Sequence, residues 1–424
     1  MNPVITGLGV ITPIGNDAAT AGASLREGRH GLVPVEFLGN PGLPVKVAGT
    51  VKGFQVDSPN WRDWSWPAAY PFPKDVLRGL APHGLYALCA VEQALARAGL
   101  RPADVADDPG TGLYCASAGS AMLLHHNLAQ MRAVGGVRGN PLGVVSSIAG
   151  TLNFNLAAHY RITGTVCGFV SACASSSHAL GYAIDDLRLG RIKRAIVVGA
   201  EELNADSLLP FAHMRALSRQ SDPRLASRPF DAGRDGFVGG GGGAALILEV
   251  PATAAGRGAP ALAEAAGWGQ SADGHSVAAP HPEGTGLLLA MERALADARI
   301  GAADIGHVSA HATSTPAGDR AEAVALGRLF AGRGLRPPVT ATKALTGHGL
   351  SLSGVLQAAF GVLSLTGGFV PGNPHLVLPG PECEGLELPR AALVRSPGRI
   401  LSNSSGFGGS NVCHVIVPAG SFTG

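Results

Sequence analysis

Unbroken apolar runs of strand length recur along the chain, and helix-like patterns separate them. Such runs suit strands covered on both faces, because a strand with one wet face alternates polar and apolar side chains. The strand candidates are Pro3–Gly7, Thr111–Cys115, Thr165–Val170, Arg194–Gly199 and Ala244–Glu249, then Ala261–Trp268, His307–Ala310, Val339–Thr342 and Cys413–Val417. Leu85–Ala98 carries apolar residues at 85, 88, 91 and 95 and ends at Gly99. Ala174–Leu189 carries them at 179, 180, 183, 184 and 187 and ends at Gly190. Thr285–Ala298 and Asp319–Phe330 repeat the helical pattern. Strand–helix alternation of this kind predicts an α/β fold with parallel sheets and packed helices.

Composition narrows the class. Charged residues are 15% of the 424 and the net charge is +2, with no basic run. That argues against a nucleic-acid or membrane-surface partner. The six cysteines form no CxxC pair, which fits reduced thiols in the cytoplasm. The N-terminus lacks a basic n-region and reads as a first strand, and no stretch has the unbroken apolar character of a membrane span. Trp61–Lys74 holds three of the four Trp and reads as a loop or insertion. Pro251–Pro260 divides the chain into an N-terminal part, 1–250, and a C-terminal part, 251–424.

Four segments carry residues able to do chemistry. In Ser171–His178, Cys173 ends a strand-like run where a small-residue helix begins. A helix N-terminus there would favour the thiolate, and the bland alternative is a small buried hydrophobe. In Ser309–Glu322, His311 closes an apolar strand, as a site residue or a core histidine. Asp319 and Glu322 have capping-box spacing, which predicts Asp319 as an N-cap and Glu322 as structural. Lys343 and His348 lie in a third strand-to-helix connection, and Lys343 is either a surface charge or a partnered site lysine. Ser402–Asn411 surrounds Phe407 with small residues, as a tight turn or as a loop offering backbone N–H groups to an oxyanion. The run Gly239–Gly243 reads as a close-packed turn, since it lacks the context of a nucleotide loop. Together these groups suit thioester chemistry, with zinc as the competing use of one Cys and two His.

With those segments the chain resembles the elongating β-ketoacyl-[acyl-carrier-protein] synthases of the thiolase superfamily, most closely the synthase I type. The resemblance runs from Val4-Ile-Thr-Gly-Leu-Gly-Val to Gly406-Phe-Gly-Gly-Ser-Asn, with Arg228–Val238 and the five-glycine run as landmarks. It implies a five-layered αβαβα thiolase-like fold of two duplicated halves. The first carries the nucleophilic Cys173, and the second carries His311, Lys343 and His348. It implies that Cys173 and Phe407 supply the oxyanion hole and gate. Thr313, Thr315, Gly406 and Phe407 would contact substrate.

The implied reaction is a decarboxylative Claisen condensation with malonyl-acyl carrier protein, giving a 3-oxoacyl product in fatty-acid or polyketide elongation. No resident cofactor or metal is implied, because phosphopantetheine arrives on the carrier protein. The implied partners are that carrier and a second copy of the chain, or a sister subunit. A non-elongating, chain-length-factor-like subunit is the rival reading. Tyr114, Met122 and Leu123 could limit or shape chain length, with core packing as the commoner role, and Arg62, Arg132 and Arg138 could dock an acidic carrier, with scattered surface arginines as the favoured reading. Ala312, Ser351-Leu352-Ser353 and Ser405 depart from the family pattern, and the last two departures predict a reshaped gate or packing.

Overall fold

A computed structural model describes residues 1–36, 45–134 and 139–421. Its strands are β1 (Val4–Ile11), β2 (Leu32–Pro34), β3 (Val47–Gly49), β4 (Thr111–Ala116), β5 (Val166–Phe169), β6 (Arg194–Glu201), β7 (Gly242–Glu249), β8 (Ala263–Ala272), β9 (Ile305–Ser309), β10 (Val339–Thr340), β11 (Arg399–Gly406) and β12 (Ser410–Val417). β2 and β3 form a small antiparallel pair. The others form one array, β10-β9-β11-β12-β8-β1-β7-β6-β4-β5. β1 and β8 join through Val4 opposite Glu264 and Ile5 opposite Ala263, so the array is two five-stranded sheets touching at one corner.

The two sheets repeat one plan. Counted by chain order within its half, each sheet runs first, fifth, fourth, second, third from the junction outward. In each, the fifth strand is antiparallel to both neighbours, and the second is parallel to the third and fourth. This is the duplication implied by the resemblance. Helices complete five layers. Pro82–Arg97 covers the outer face of the first sheet, and Thr285–Asp297 with Pro316–Leu329 covers that of the second. Between the sheets lie Ser175–Arg188 and Ser353–Gly367, packed on each other.

The inner pair explains the apolar composition. Twelve of the fifteen residues of Ser353–Gly367 are buried, as required of a helix with a sheet on both sides. The segment Leu350–Gly367 is long and apolar enough by composition to cross a membrane, although Ser351, Ser353, Gln357, Ser364 and Thr366 interrupt its apolar run. Its place between the sheets accounts for that apolarity. Trp61–Lys74 is mostly irregular, as expected, and Trp64 buries its ring in the apolar cluster that also takes in the helix Pro82–Arg97.

Three expectations change. Ser402–Asn411 is not simply a loop: β11 and β12 fill most of it, and Phe407–Gly409 is the hairpin tip. Polar side chains hid β11, yet Ser402, Asn403 and Ser404 are buried, and Asn403 and Ser404 bond across the layers. The glycine run is not merely a turn, because Gly242 and Gly243 already belong to β7. Asp319 is not an N-cap. Pro316, with its pre-set φ, starts the helix one turn earlier, and Thr315 takes the cap position.

Candidate active site

The nucleophile turn links β5 to the inner helix Ser175–Arg188. Ala172 has a left-handed backbone (φ 50°), which costs an L-residue on the order of 1 kcal/mol. The turn is held by Ser175, whose Oγ accepts from the N–H of Ser171 at 2.8 Å and donates to the Ala172 carbonyl at 2.6 Å. The strained turn aims Cys173 away from the sheet into a cavity of about 430 Å³. Gly406 backs it closely: a Cβ there would lie 2.7 Å from the Ser171 carbonyl and 3.0 Å from the Cys173 nitrogen. Only glycine lets the tip of the β11–β12 hairpin come so near.

His348 reaches the sulfur from the second half, with Nε2 3.0 Å from Cys173 Sγ. Its backbone is pinned by the glycine run. The His348 N–H donates to the Val238 carbonyl at 2.7 Å, and the Gly240 N–H donates to the His348 carbonyl at 3.0 Å. A Cβ on Gly240 would sit 2.4 Å from the Thr346 carbonyl, so the run is needed for this approach. His311 stands across from His348, ring centroids 5.3 Å apart and nearly perpendicular. Ligand-type atoms of Cys173, His311 and His348 all lie within 4.8 Å of one another.

Lys343 is buried behind this trio, and its Nζ donates to Gln357 Oε1 at 2.8 Å. The Gln357 amide in turn donates to the carbonyls of Ala310 and Asn403, at 3.2 and 3.1 Å, tying β9 to β11. Glu322 accepts from the backbone N–H groups of His311 and Ala312, and Asp319 accepts from those of Thr313, Ser314 and Phe230. The two carboxylates hold the His311 loop, including Ser314 at φ 71°. Thr313 and Thr315 face the cavity with hydroxyls 3.0 Å apart.

Burial dominates the electrostatics. It drives the Lys343 ammonium down to about 8, with Glu322 opposing. It holds His311 and His348 well below the usual histidine value, aided by the Lys343 charge, so both rings are neutral at pH 7. It pushes the Cys173 thiol up to about 12, against the pull of Lys343. The expected resting thiolate is therefore corrected to a thiol: the helix proper begins only at Ser175, and desolvation outweighs the favourable charge. The lysine's charge also weighs against a cation among the three donor atoms.

The cavity mouth is aromatic. Phe407, part exposed, stands 6.2 Å from Phe211, Phe211 lies 5.4 Å from Phe237, and Phe237 meets His348 edge-on at 5.4 Å. Ser405 lines the cavity and donates to Asn411 Oδ1 at 2.7 Å, while Asn411 donates to Asp273 at 2.8 Å. Leu352 instead packs wholly in the core. Tyr114, Met122 and Leu123 are not among the described residues that line the cavity, and the Tyr114 hydroxyl donates to Asp186 at 2.6 Å. Arg62 stacks on Trp61, Arg132 lies on the helix Ala121–Ala133, and Arg138 falls outside the described residues. The sequence reading missed Gln357 and Asp273 and gave Ser353 no role beyond its place in the Ser351-Leu352-Ser353 departure. Gln357 did carry a signal, an amide inside an otherwise apolar helix.

Comparison with known proteins gives the same picture. The family model "Beta-ketoacyl synthase, N-terminal domain" matches residues 1–254, and "Beta-ketoacyl synthase, C-terminal domain" matches residues 262–377. The 3-oxoacyl-[acyl-carrier-protein] synthase 1 of Escherichia coli K12 is 34% identical over 97% of this chain and 98% of its own length. The crystal structure of a β-ketoacyl synthase from Burkholderia phymatum STM815 is similar with a TM-score of 0.89 and 30% identity, covering 99% of both chains. The ishigamide ketosynthase/chain length factor is similar with a TM-score of 0.87 and 28% identity, again over 99% of both chains.

Proposed function

The chain belongs to the β-ketoacyl synthase family, and we propose that it condenses an acyl group held on Cys173 with malonyl-acyl carrier protein. The observation that carries this reading is the 3.0 Å contact between Cys173 Sγ and His348 Nε2, with neutral His311 across the same space.

In the first half-reaction the sulfur attacks the carrier's thioester. The acyl–sulfur bond to the pantetheine arm breaks, and the proton of Cys173 ends on the departing thiol. The backbone N–H groups of Cys173 and Phe407 serve the oxyanion, and the close approach at Gly406 supports that role. In the second half-reaction malonyl-carrier enters along Thr313 and Thr315. Neutral imidazoles donate from Nε2–H to the malonyl thioester oxygen as carbon dioxide leaves. The resulting enolate carbon attacks the acyl-Cys173 thioester, the carbon–sulfur bond breaks, and one proton restores the thiol. Lys343 supplies positive potential to the sulfur and enolate, and Gln357 holds it there.

The working assembly is a homodimer in the cytoplasm. The edge strand β5 has no neighbour on its outer side among the described residues, and Val166 within it and Val170 just after it are exposed. Such an edge invites a second copy. The pathway is fatty-acid or specialised polyketide elongation, and Ser405 favours an acyl group wider than usual near the sulfur.

Intact-protein mass spectrometry after incubation with acyl-carrier protein tests the reading. An acyl adduct that is absent from Cys173→Ala, then discharged by malonyl-carrier as a 3-oxoacyl product, is expected. A protein that takes no acyl group by itself and acquires activity only with a sister synthase would favour the chain-length-factor-like alternative.

A further inference from the structure

The segment Ser351-Leu352-Ser353 leads into the inner helix, whose first residue is Ser353. The Ser353 Oγ lies 3.1 Å from Nδ1 of His348, and both residues are buried. Among the described residues neither atom has another hydrogen-bond partner. Two arrangements are possible. If Nδ1 carried the proton, the serine would accept, and its own O–H would be left buried without an acceptor. If the serine donates, its hydrogen and that of Nε2, which faces the sulfur, are both used, and the only hydrogen left over is the S–H of Cys173, a far weaker donor than a hydroxyl. Unmade donors in a dry interior are the costlier outcome, so the hydroxyl donates. The proton of the neutral ring then sits on Nε2, the nitrogen that faces Cys173.

His311 differs. Its Nδ1 is buried with no hydrogen-bond partner among the described residues. One imidazole is thus fixed by a side chain and the other is not. We propose that Ser353 is a positioning residue for the condensation: it holds His348 in the Nε2–H form as a permanent donor to the sulfur and substrate oxygen. This rests on the condensing-enzyme reading above. The serine is legible as a departure from the family pattern, and its hydroxyl supplies from a side chain what sets the ring's tautomer.

The test uses the full-length dimer, selectively labelled with ¹⁵N-histidine, and malonyl-acyl carrier protein. The His348 signals, assigned by their loss in His348→Gln, should show a protonated Nε2 and an acceptor Nδ1. Ser353→Ala should mix the two tautomers and lower kcat for malonyl decarboxylation about tenfold, the worth of one buried hydrogen bond, with KM nearly unchanged. Ser353→Thr should recover most of that loss. A wild-type His348 protonated on Nδ1 overturns the proposal, as does a Ser353→Ala protein with unaltered tautomer or kcat. If the alanine variant does not fold, the wild-type spectrum decides alone. If the wild-type protein neither takes an acyl group nor releases carbon dioxide, the condensing reading fails, while the spectrum still reports the tautomer.

Discussion

Lys343 gives its ammonium to a neutral amide: Nζ and Gln357 Oε1 are 2.8 Å apart in the interior. No carboxylate forms a salt bridge with it among the described residues, and Glu322 helps only from a distance. Burial therefore leaves Lys343 titrating at about 8. The sign follows directly. The charge is present below that pH and lost above it, so kcat for condensation should fall as pH rises through about 8. Lys343→Met should be slow at all pH values and lack this limb. Gln357→Glu should move the limb upward by about one to two units, because it sets an opposite charge beside the ammonium. A kcat–pH profile of the three proteins decides.

Cys173 should alkylate slowly at neutral pH and faster into the alkaline range, because its thiol is held up to about 12. Lys343 is the main group opposing that rise. Lys343→Ala should therefore slow iodoacetamide modification of Cys173 at pH 8 several-fold, measured by intact mass. An unchanged rate would show that the lysine's charge does not reach the sulfur.

Ser405 leaves room at the cavity wall and fastens Asn411. Ser405→Phe should remove the bond and fill that space. The expected result is a shorter or narrower range of accepted acyl groups, with kcat/KM for the longest primers down about tenfold or more, as expected for a misplaced substrate. A ladder of acyl-carrier primers reads this out. Equal loss for every primer length would count against a role in selecting the chain.

Gly240→Ala should harm both stability and catalysis. The new Cβ would meet the Thr346 carbonyl at 2.4 Å, and relief requires moving the backbone that carries His348. Overpacking of this kind costs about 1–3 kcal/mol. The thermal midpoint should fall, and the surviving folded protein should condense more slowly. Normal kcat in the folded fraction would mean that the shift does not reach the ring.

Much of the site was legible because reactive residues sit where strands end. Cys173, His311, Lys343 and His348 each follow an apolar run, and the structure brings all four together from opposite halves. What escaped were residues whose importance comes from the layer opposite. Ser402, Asn403 and Ser404 look like loop composition, yet they form the middle of β11, where all three are buried and the side chains of Asn403 and Ser404 bond across the interior. Gln357 stands out as an amide in an apolar helix and Ser353 as a departure from the family pattern, but their partners, Lys343 fourteen residues away and the His348 ring across a turn, are set by packing. The thiolate expectation failed for a similar reason, since desolvation is a property of packing.

The inner helix Ser353–Gly367 also imposes an order on biosynthesis. The first sheet leaves the ribosome with only Ser175–Arg188 on its inner face, and the helix that covers the remainder, over β1 and β7, is encoded more than a hundred residues after β7 ends. Neither half is a self-sufficient unit: cut at the junction, the first would lose its lid and the second would present an apolar rod with half its seat missing. The nascent chain must therefore remain sheltered until nearly the whole sequence is out, and a premature stop anywhere before residue 353 should yield insoluble protein.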